Sequence, residues 1–173
     1  MKRKSLEAAS CPVARSLDTI GEWWSLLILR DAFLGKRRFG EFHKSIGLAK
    51  NILAARLRKL VASGIFTLEP ASDGSAYQEY VLTEKGRALG MVVMSLRVWG
   101  TRWLFDGDPQ APTVRERATG EAIVGLGFRT SGGRLVTPAD LEFVSPPTPP
   151  ARPQRGRRRA HRPLALQGGR GSR

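Results

Sequence analysis

The chain has 173 residues, of which 41% are hydrophobic, and a formal net charge of +14. This length fits one domain with appended segments, and the single cysteine excludes an intramolecular disulfide bond. No apolar run approaches the ~20 residues that span a bilayer, and the basic N-terminus lacks the apolar stretch of a signal peptide. We therefore expect a protein of the reducing cytoplasm.

Positive charge is concentrated in two parts of the chain. Residues 1–105 carry net +8 and residues 106–145 net −2, whereas residues 146–173 carry eight arginines and no acid. This distribution favours a polyanionic partner, with nucleic acid first and an acidic membrane surface second.

The N-terminal region predicts two helices. Ser10 is suited to cap the first, which holds Pro12 in its first turn and ends at Gly21. Residues 21–35 are densely apolar and bounded by glycines, which predicts a buried central helix that stops at Gly35.

Two further helices are predicted over residues 39–46 and 49–63, joined by a tight turn at Gly47. Residues 36–60 hold eight lysines or arginines against one acid, Glu41. A strongly basic pair of short helices with a tight turn fits the major groove of DNA. The inward stripe of the second helix is predicted to consist of Leu53, Leu57, Leu60 and Val61.

A hairpin and a last helix complete the domain. Residues 65–69 and 77–82 have strand composition, and the turn-rich residues between them predict an exposed tip. Thr83 should cap a helix that runs to about Phe105. Four helices, a hairpin and a helix are the order of a winged helix-turn-helix, a mainly α fold with a small β-hairpin wing. The first and last helices are candidates for a homodimer interface.

The composition changes after residue 105. Strand-like pieces between glycines within residues 113–144 predict a small β-rich C-terminal appendix, and the Pro, Arg and Gly composition of residues 146–173 predicts a disordered tail. The predicted domains are a flexible arm over 1–9, a DNA-binding and dimerisation domain over 10–105, the appendix over 106–145 and the tail.

Linked motifs across residues 10–105 resemble the HxlR-type winged helix regulators. The matching stretches are residues 11–13, 20–24, 27–30, 38–42, 53–60, 64–65 and 80–86. The resemblance implies a homodimeric bacterial transcription factor, and many members are repressors or sensors of reactive small molecules. The family often has lysine in place of Trp23, and a proline where this chain has residues 77–79. Cysteine pairs in the appendix of some relatives suggest a zinc ribbon, but the appendix here has no thiolates, so we expect no metal and no cofactor.

The outer face of the second motif helix is the predicted DNA-contacting surface. At 100° per residue, Asn51, Ala55 and Arg58 lie opposite the leucine stripe. Asn51 has the geometry to pair with adenine and Arg58 with guanine, while the cations before the motif suit phosphates. The predicted DNA-binding residues are Lys36, Arg37, Arg38, Lys50, Asn51, Ala55, Arg58 and Lys59.

The same residues also have simpler structural interpretations. The basic residues could form only a solvated face, Asn51 could only cap its helix, and Arg56 is as suited to an internal ion pair as to a phosphate. The four tryptophans favour core or dimer packing over a pocket for an aromatic effector, so a small-molecule effector stays open and unidentified.

Cys11 is a candidate redox-sensing residue, because a helix N-terminus favours an anionic thiolate. The alternative is a small, half-buried residue without special reactivity. Two histidines and one cysteine, none at catalytic or metal-binding spacing, argue against an enzyme. A non-enzymatic protein whose basic tail binds RNA or acidic partners is the alternative function.

Overall fold

The computed structural model describes residues 5–105, 108, 111, 113–123 and 125–144. The chain divides into two compact units, Met1–Gly127 and Phe128–Arg173. The first unit contains helices α1 (Pro12–Ile20), α2 (Trp23–Phe33), α3 (Phe39–Ile46), α4 (Lys50–Ala62), α5 (Glu84–Ala88) and α6 (Gly90–Leu104), with strands β1 (Phe66–Pro70) and β2 (Gln78–Leu82) before α5. This order confirms the winged helix-turn-helix prediction.

The start of α1 differs from the prediction. Cys11, not Ser10, occupies the N-cap, and its side chain makes no capping hydrogen bond. Pro12 is the reason, because proline at the first helical position holds the residue before it in extended backbone. The preceding residues hydrogen-bond to the helix, as the Leu6 N–H donates to the Asp18 carboxylate over 3.0 Å.

The core is formed by residues from α1 to α4, β1 and the turn before it. Phe42, Leu53, Leu57 and Leu60 are fully buried, which confirms the leucine stripe of α4 apart from the half-buried Val61. The Phe42 ring lies edge-on to two further aromatic rings, those of Phe66 and Tyr80. This packing fixes α3 and α4 against the wing.

The turn between α3 and α4 needs a glycine. Gly47 adopts a φ of +71°, the left-handed region, and its N–H donates to the His43 carbonyl. α3 has the predicted bounds, and α4 begins one residue later and ends one residue earlier than predicted.

The wing is the antiparallel pair β1 and β2, in which Phe66 faces Leu82 and Pro70 faces Gln78. The Thr83 side chain accepts a hydrogen bond from the Gly86 N–H, which confirms the predicted cap.

The single last helix predicted from Thr83 to Phe105 is wrong. The helix is interrupted at Leu89, which ends α5 and precedes α6. Two glycines beside this interruption lie close to other segments of the chain. A Cβ at Gly86 would collide with the Ile65 carbonyl, and one at Gly90 would meet the Phe33 ring at 3.4 Å. The chain therefore packs α5 and α6 separately against the core.

Beyond α6, the described residues contain little β structure. In the first unit, Arg115 and Ala122 form an isolated antiparallel bridge. In the second unit, β3 (Phe128–Arg129) pairs with β4 (Leu135–Val136), and a 3-10 turn follows over Pro138–Asp140. The predicted tail, residues 146–173, lies outside the described residues. Over the described ranges, no helix has the length and apolar character needed to cross a bilayer.

Candidate nucleic-acid interface

α4 presents two faces of opposite character. Its buried face carries the three leucines of the core, and its opposite face is exposed to solvent. Because the exposed face includes two alanines, its centre is thin, which allows a helix to lie deep in a groove. The exposed residues of this outer face are Asn51, Ala55, Arg58 and Ala62, and Lys50 is exposed at the start of the helix.

The polar side chains of the outer face are available for a partner. Within the described part of the chain, Lys50, Asn51 and Arg58 make no side-chain hydrogen bond or ion pair. Arg58 lies on the side of α4 near the wing: burial raises the pKa of the Tyr80 hydroxyl, and the positive charge of Arg58 opposes that shift.

The three cations before α3 are in a different situation. Lys36 Nζ lies 3.4 Å from the buried Asp31 carboxylate, and Arg37 lies 3.6 Å from Glu79. Arg38 lies 2.7 Å from the Asp73 carboxylate and 3.3 Å from that of Glu79. All three predicted phosphate-binding residues therefore have internal carboxylate partners.

Arg38, Ser72, Asp73 and Glu79 form a cluster that we call the wing clamp. Glu79 is buried and also accepts a hydrogen bond from the Ser72 hydroxyl at 3.1 Å. A hydrogen bond from Arg38, and then one from the Ser75 N–H at 3.1 Å, hold the pKa of Asp73 well below its usual range. Burial raises the pKa of Glu79, but hydrogen bonds from Ser72 and Arg38 outweigh this and leave it lowered. The clamp thus fixes the hairpin tip to the start of α3 with ionised acids.

Sequence reasoning did not assign Asp73 and Glu79 to this site. Glu79 stands in the segment where the chain departs from the usual proline of the family, and that departure was the available signal. An acid between Gln78 and Tyr80 on a half-buried strand requires a cation, and Arg38 supplies it from 41 residues away.

Two other basic residues of α4 contact the N-terminal helices. Lys59 Nζ donates to the Asp18 carbonyl over 2.6 Å, at the C-terminal end of α1 where carbonyl groups lack helical partners. Arg56 lies 3.1 Å from Glu22, so of the two predicted alternatives the internal ion pair is present. Both cations are therefore partnered on the α1 side of α4.

Cys11 is a free, exposed cysteine at the N-cap of α1. Because the Cys11 side chain is exposed, it is not the half-buried residue of the alternative interpretation. Among the described residues, no group of three or more His, Cys, Asp or Glu side chains is arranged to hold a metal ion.

The fold and the exposed face of α4 define a winged helix-turn-helix protein. The model of the HxlR-like helix-turn-helix family matches residues 19–108, and the chain belongs to this family. Family membership agrees with the prediction of a non-enzymatic regulator.

The chain is similar to regulators from several organisms. An uncharacterised HTH-type transcriptional regulator of Mycobacterium tuberculosis is 42% identical over 105 residues, which are 61% of this chain and 65% of the relative. The chain thus spans about two thirds of the length of that relative. A regulator of the same description, YybR of Bacillus subtilis, is 36% identical over 52% of this chain and 73% of the relative.

Two solved structures extend the similarity. The crystal structure of PA1607, a candidate transcription factor, shows 49% identity and a TM-score of 0.74, over 82% of this chain and 99% of the other. A second candidate transcription factor, PA1374 from Pseudomonas aeruginosa, shows 36% identity and a TM-score of 0.57 over 82% of this chain and 96% of the other. Coverage of 82% reaches beyond the residues that the family model matches, so part of the appendix region is shared with both structures.

Proposed function

We propose that the protein is a transcriptional repressor that binds specific sites in double-stranded DNA with α4 in the major groove. The observation that carries the proposal is the outer face and first turn of α4, where two cations and an amide lie exposed beside small alanines, without a partner among the described residues. A thin helix with these groups fits the major groove in width and in hydrogen-bonding chemistry.

The groups on this face have distinct roles in the proposal. Arg58 donates both arms of its guanidinium to a guanine, and Asn51 pairs with an adenine, while Lys50 at the helix start contacts a phosphate. Ala55 allows close approach. Lys59 and residues 36–38 would each exchange an internal partner for a phosphate, which makes them secondary contacts.

A homodimer through α1 and α6 is part of the proposal. α6 has no buried residue, and its exposed apolar side chains include Val92, Trp99 and Trp103 at 42%, 55% and 63% exposure. α1 adds the exposed Val13 and Leu17. Such apolar surface on two helices is typical of a protein interface. A dimer would present two α4 helices to half-sites about 34 Å apart.

The test begins with selection of bound sequences from a random duplex library, using the full-length protein. A repeated motif with two half-sites about 10 base pairs apart is expected. The selected site, placed between promoter and reporter gene, should lower expression when the protein is present. Indifference to every duplex sequence, or higher expression, would contradict the proposal.

The homodimer has its own test. Sedimentation of the wild-type protein should give the mass of two chains, and Trp99→Asp should give the mass of one. Lys44→Asp, a change of an exposed residue on α3, serves as the control and should leave the mass unchanged. A monomeric wild-type protein would exclude the dimer.

We propose Cys11 as the residue that responds to oxidants or electrophiles. Its exposure and its place on a helix of the proposed interface support this. Since the chain has one cysteine, the response must be alkylation, a mixed disulfide, or a Cys11 to Cys11 bond between two copies. Diamide should lower DNA affinity of the wild type and not of Cys11→Ser; an equal response in both would exclude Cys11.

The alternative function assigns nucleic-acid binding to the basic tail. The eight arginines of residues 146–173 favour it. Deletion of these residues distinguishes the two functions. If the truncated protein still binds its specific duplex, and the slope of log affinity against log salt concentration becomes shallower by ~0.9 per lost phosphate contact, the tail is an accessory. If specific duplex binding is lost, nucleic-acid binding depends on the tail.

A further inference from the structure

A cleft between α2 and α6 combines aliphatic walls with two arginines. Its volume is about 250 Å³. We call it the α2–α6 cleft; its lining residues are Leu26, Leu27, Arg30, Val93, Leu96 and Arg97.

Helical spacing places these residues together. Val93, Leu96 and Arg97 are separated by three and four positions on α6, and Leu26 and Arg30 by four on α2. Each helix thus contributes aliphatic side chains and one arginine to the same cleft. The resulting chemistry is amphipathic, with an apolar wall and positive charge.

The two arginines differ in their partners. Arg30 lies 2.9 Å from the Asp31 carboxylate, which is itself buried. Arg97 makes no ion pair among the described residues, and its Nε is buried without a hydrogen-bond acceptor. A buried N–H without an acceptor is rare and costly in folded proteins. Arg97 is therefore a cation of the cleft whose charge no described residue neutralises.

We propose that the α2–α6 cleft binds a small amphipathic carboxylate. The carboxylate accepts hydrogen bonds from the Arg97 guanidinium, and its hydrocarbon body lies against Leu26 and Leu96. The volume is below the ~300–1,000 Å³ typical of sites for drug-sized ligands, so an acid of about six carbons is the appropriate size. A neutral or cationic ligand would leave the positive charge of the Arg97 guanidinium without an anion.

The position of the cleft links it to DNA binding, a consequence that rests on the proposed function. α2 packs against α3 and α4, whereas α6 carries the proposed dimer surface. A ligand between α2 and α6 would therefore change the position of each α4 relative to the dimer partner. Ligand binding itself needs neither DNA nor a dimer.

The proposal is tested by calorimetry on the full-length protein without DNA. Sodium hexanoate is the probe, and hexanamide is the neutral control of the same size. The wild type should bind hexanoate about tenfold or more tightly than hexanamide, because a charge-assisted hydrogen bond is lost with the amide. Arg97→Gln should abolish this preference, and Arg97→Lys should retain part of it.

Arg102→Gln is the matched control. It removes one arginine from the same helix, one that lies over the Trp103 ring and outside the α2–α6 cleft, and the preference for hexanoate should remain. Equal affinity of the wild type for both probes would overturn the proposal, and so would an unchanged preference in Arg97→Gln.

Sedimentation of the same variants separates a carboxylate ligand from a carboxylate of a second copy. If the wild type does not bind hexanoate, and Arg97→Gln self-associates tenfold more weakly than the wild type, the cleft binds a carboxylate of the partner chain. This result would overturn the proposal. Because calorimetry is done without DNA, its failure leaves the DNA-binding proposal intact. Failure of DNA binding likewise leaves the hexanoate result intact.

Discussion

Two basic regions of this molecule have similar composition and different surroundings. The cations of residues 36–38 lie next to Asp31, Asp73 and Glu79, whereas those on the outer face of α4 have no carboxylate partner among the described residues. Positive charge in the first region stabilises the protein itself. Positive charge in the second remains available to a polyanion, which shows that the count of lysines and arginines does not locate an interface.

Geometry is the origin of the difference. The chain before α3 lies against β2, where the Tyr80 N–H donates to the Arg37 carbonyl over 2.8 Å. Acids of the wing therefore reach the basic side chains there. The outer face of α4 points away from the core, and its neighbours on the helix include alanines. Variants on the two faces of α4 and in the wing clamp test this contrast.

Leu57→Ala should have the largest effect, and on stability. Leu57 is fully buried on the inner face of α4, so its truncation leaves a cavity that costs about 2–5 kcal/mol. Chemical denaturation should show this loss in the free energy of unfolding. A loss below about 1 kcal/mol would mean that α4 is not held by its leucine stripe.

Arg58→Ala, one residue later, should leave stability nearly unchanged and weaken DNA binding. Loss of a bidentate contact to guanine costs about 1–3 kcal/mol of discrimination at one base position. Titration of the selected site and of single-base variants by fluorescence anisotropy measures both quantities.

Arg56→Ala is the control for Arg58→Ala, because it removes the same charge from the Glu22 ion pair on the other side of α4. Base preference should be unchanged in this variant. Equal loss of affinity on every sequence in Arg58→Ala would instead assign Arg58 to a phosphate.

The wing clamp should make stability depend on acidic pH. The hydrogen bond from Arg38 lowers the pKa of Asp73 in the folded state. The clamp therefore stabilises the folded state at pH values above the ordinary carboxyl pKa of 3.8. This contribution is lost as the pH falls from that value toward the lower pKa of the folded state. The melting temperature of the wild type should therefore fall more between about pH 5 and pH 3 than that of Asp73→Asn.

Ser75→Ala is the control, because the Ser75 hydroxyl has no hydrogen-bond partner among the described residues. The variant keeps both the Ser75 N–H bond to Asp73 and the ion pair with Arg38, so its pH dependence should resemble that of the wild type. Identical pH profiles for the wild type and Asp73→Asn would show that the clamp does not stabilise the fold.

Lys59→Met should have the smallest effect. Its Nζ hydrogen bond to the Asp18 carbonyl is exposed, so the free energy of unfolding should fall by less than about 1 kcal/mol. DNA affinity should fall less than in Arg58→Ala. A larger loss of affinity in Lys59→Met would place the contact surface on the α1 side of α4.

Much of the fold follows from local patterns. The bounds of α3 were predicted correctly, because aromatic spacing and Gly47 define both the helix and its end. The interruption at Leu89 was missed, since it accompanies the approach of Gly86 to the Ile65 carbonyl, a contact between segments distant in sequence. The position of the α1 cap was missed because Ser10 is the better capping residue in isolation, while Pro12 decides the backbone.

The helix order, the leucine stripe of α4 and the residues on its opposite face could be predicted from the sequence, because helical periodicity is a local property of the chain. Which cations are neutralised depends on contacts between segments that are distant in sequence. Arg38 meets Glu79 from 41 residues away, and Lys59 meets the Asp18 carbonyl across the same separation. Such pairs depend on how helices and hairpin pack, since electrostatic attraction acts over a few ångströms in space and not along the sequence.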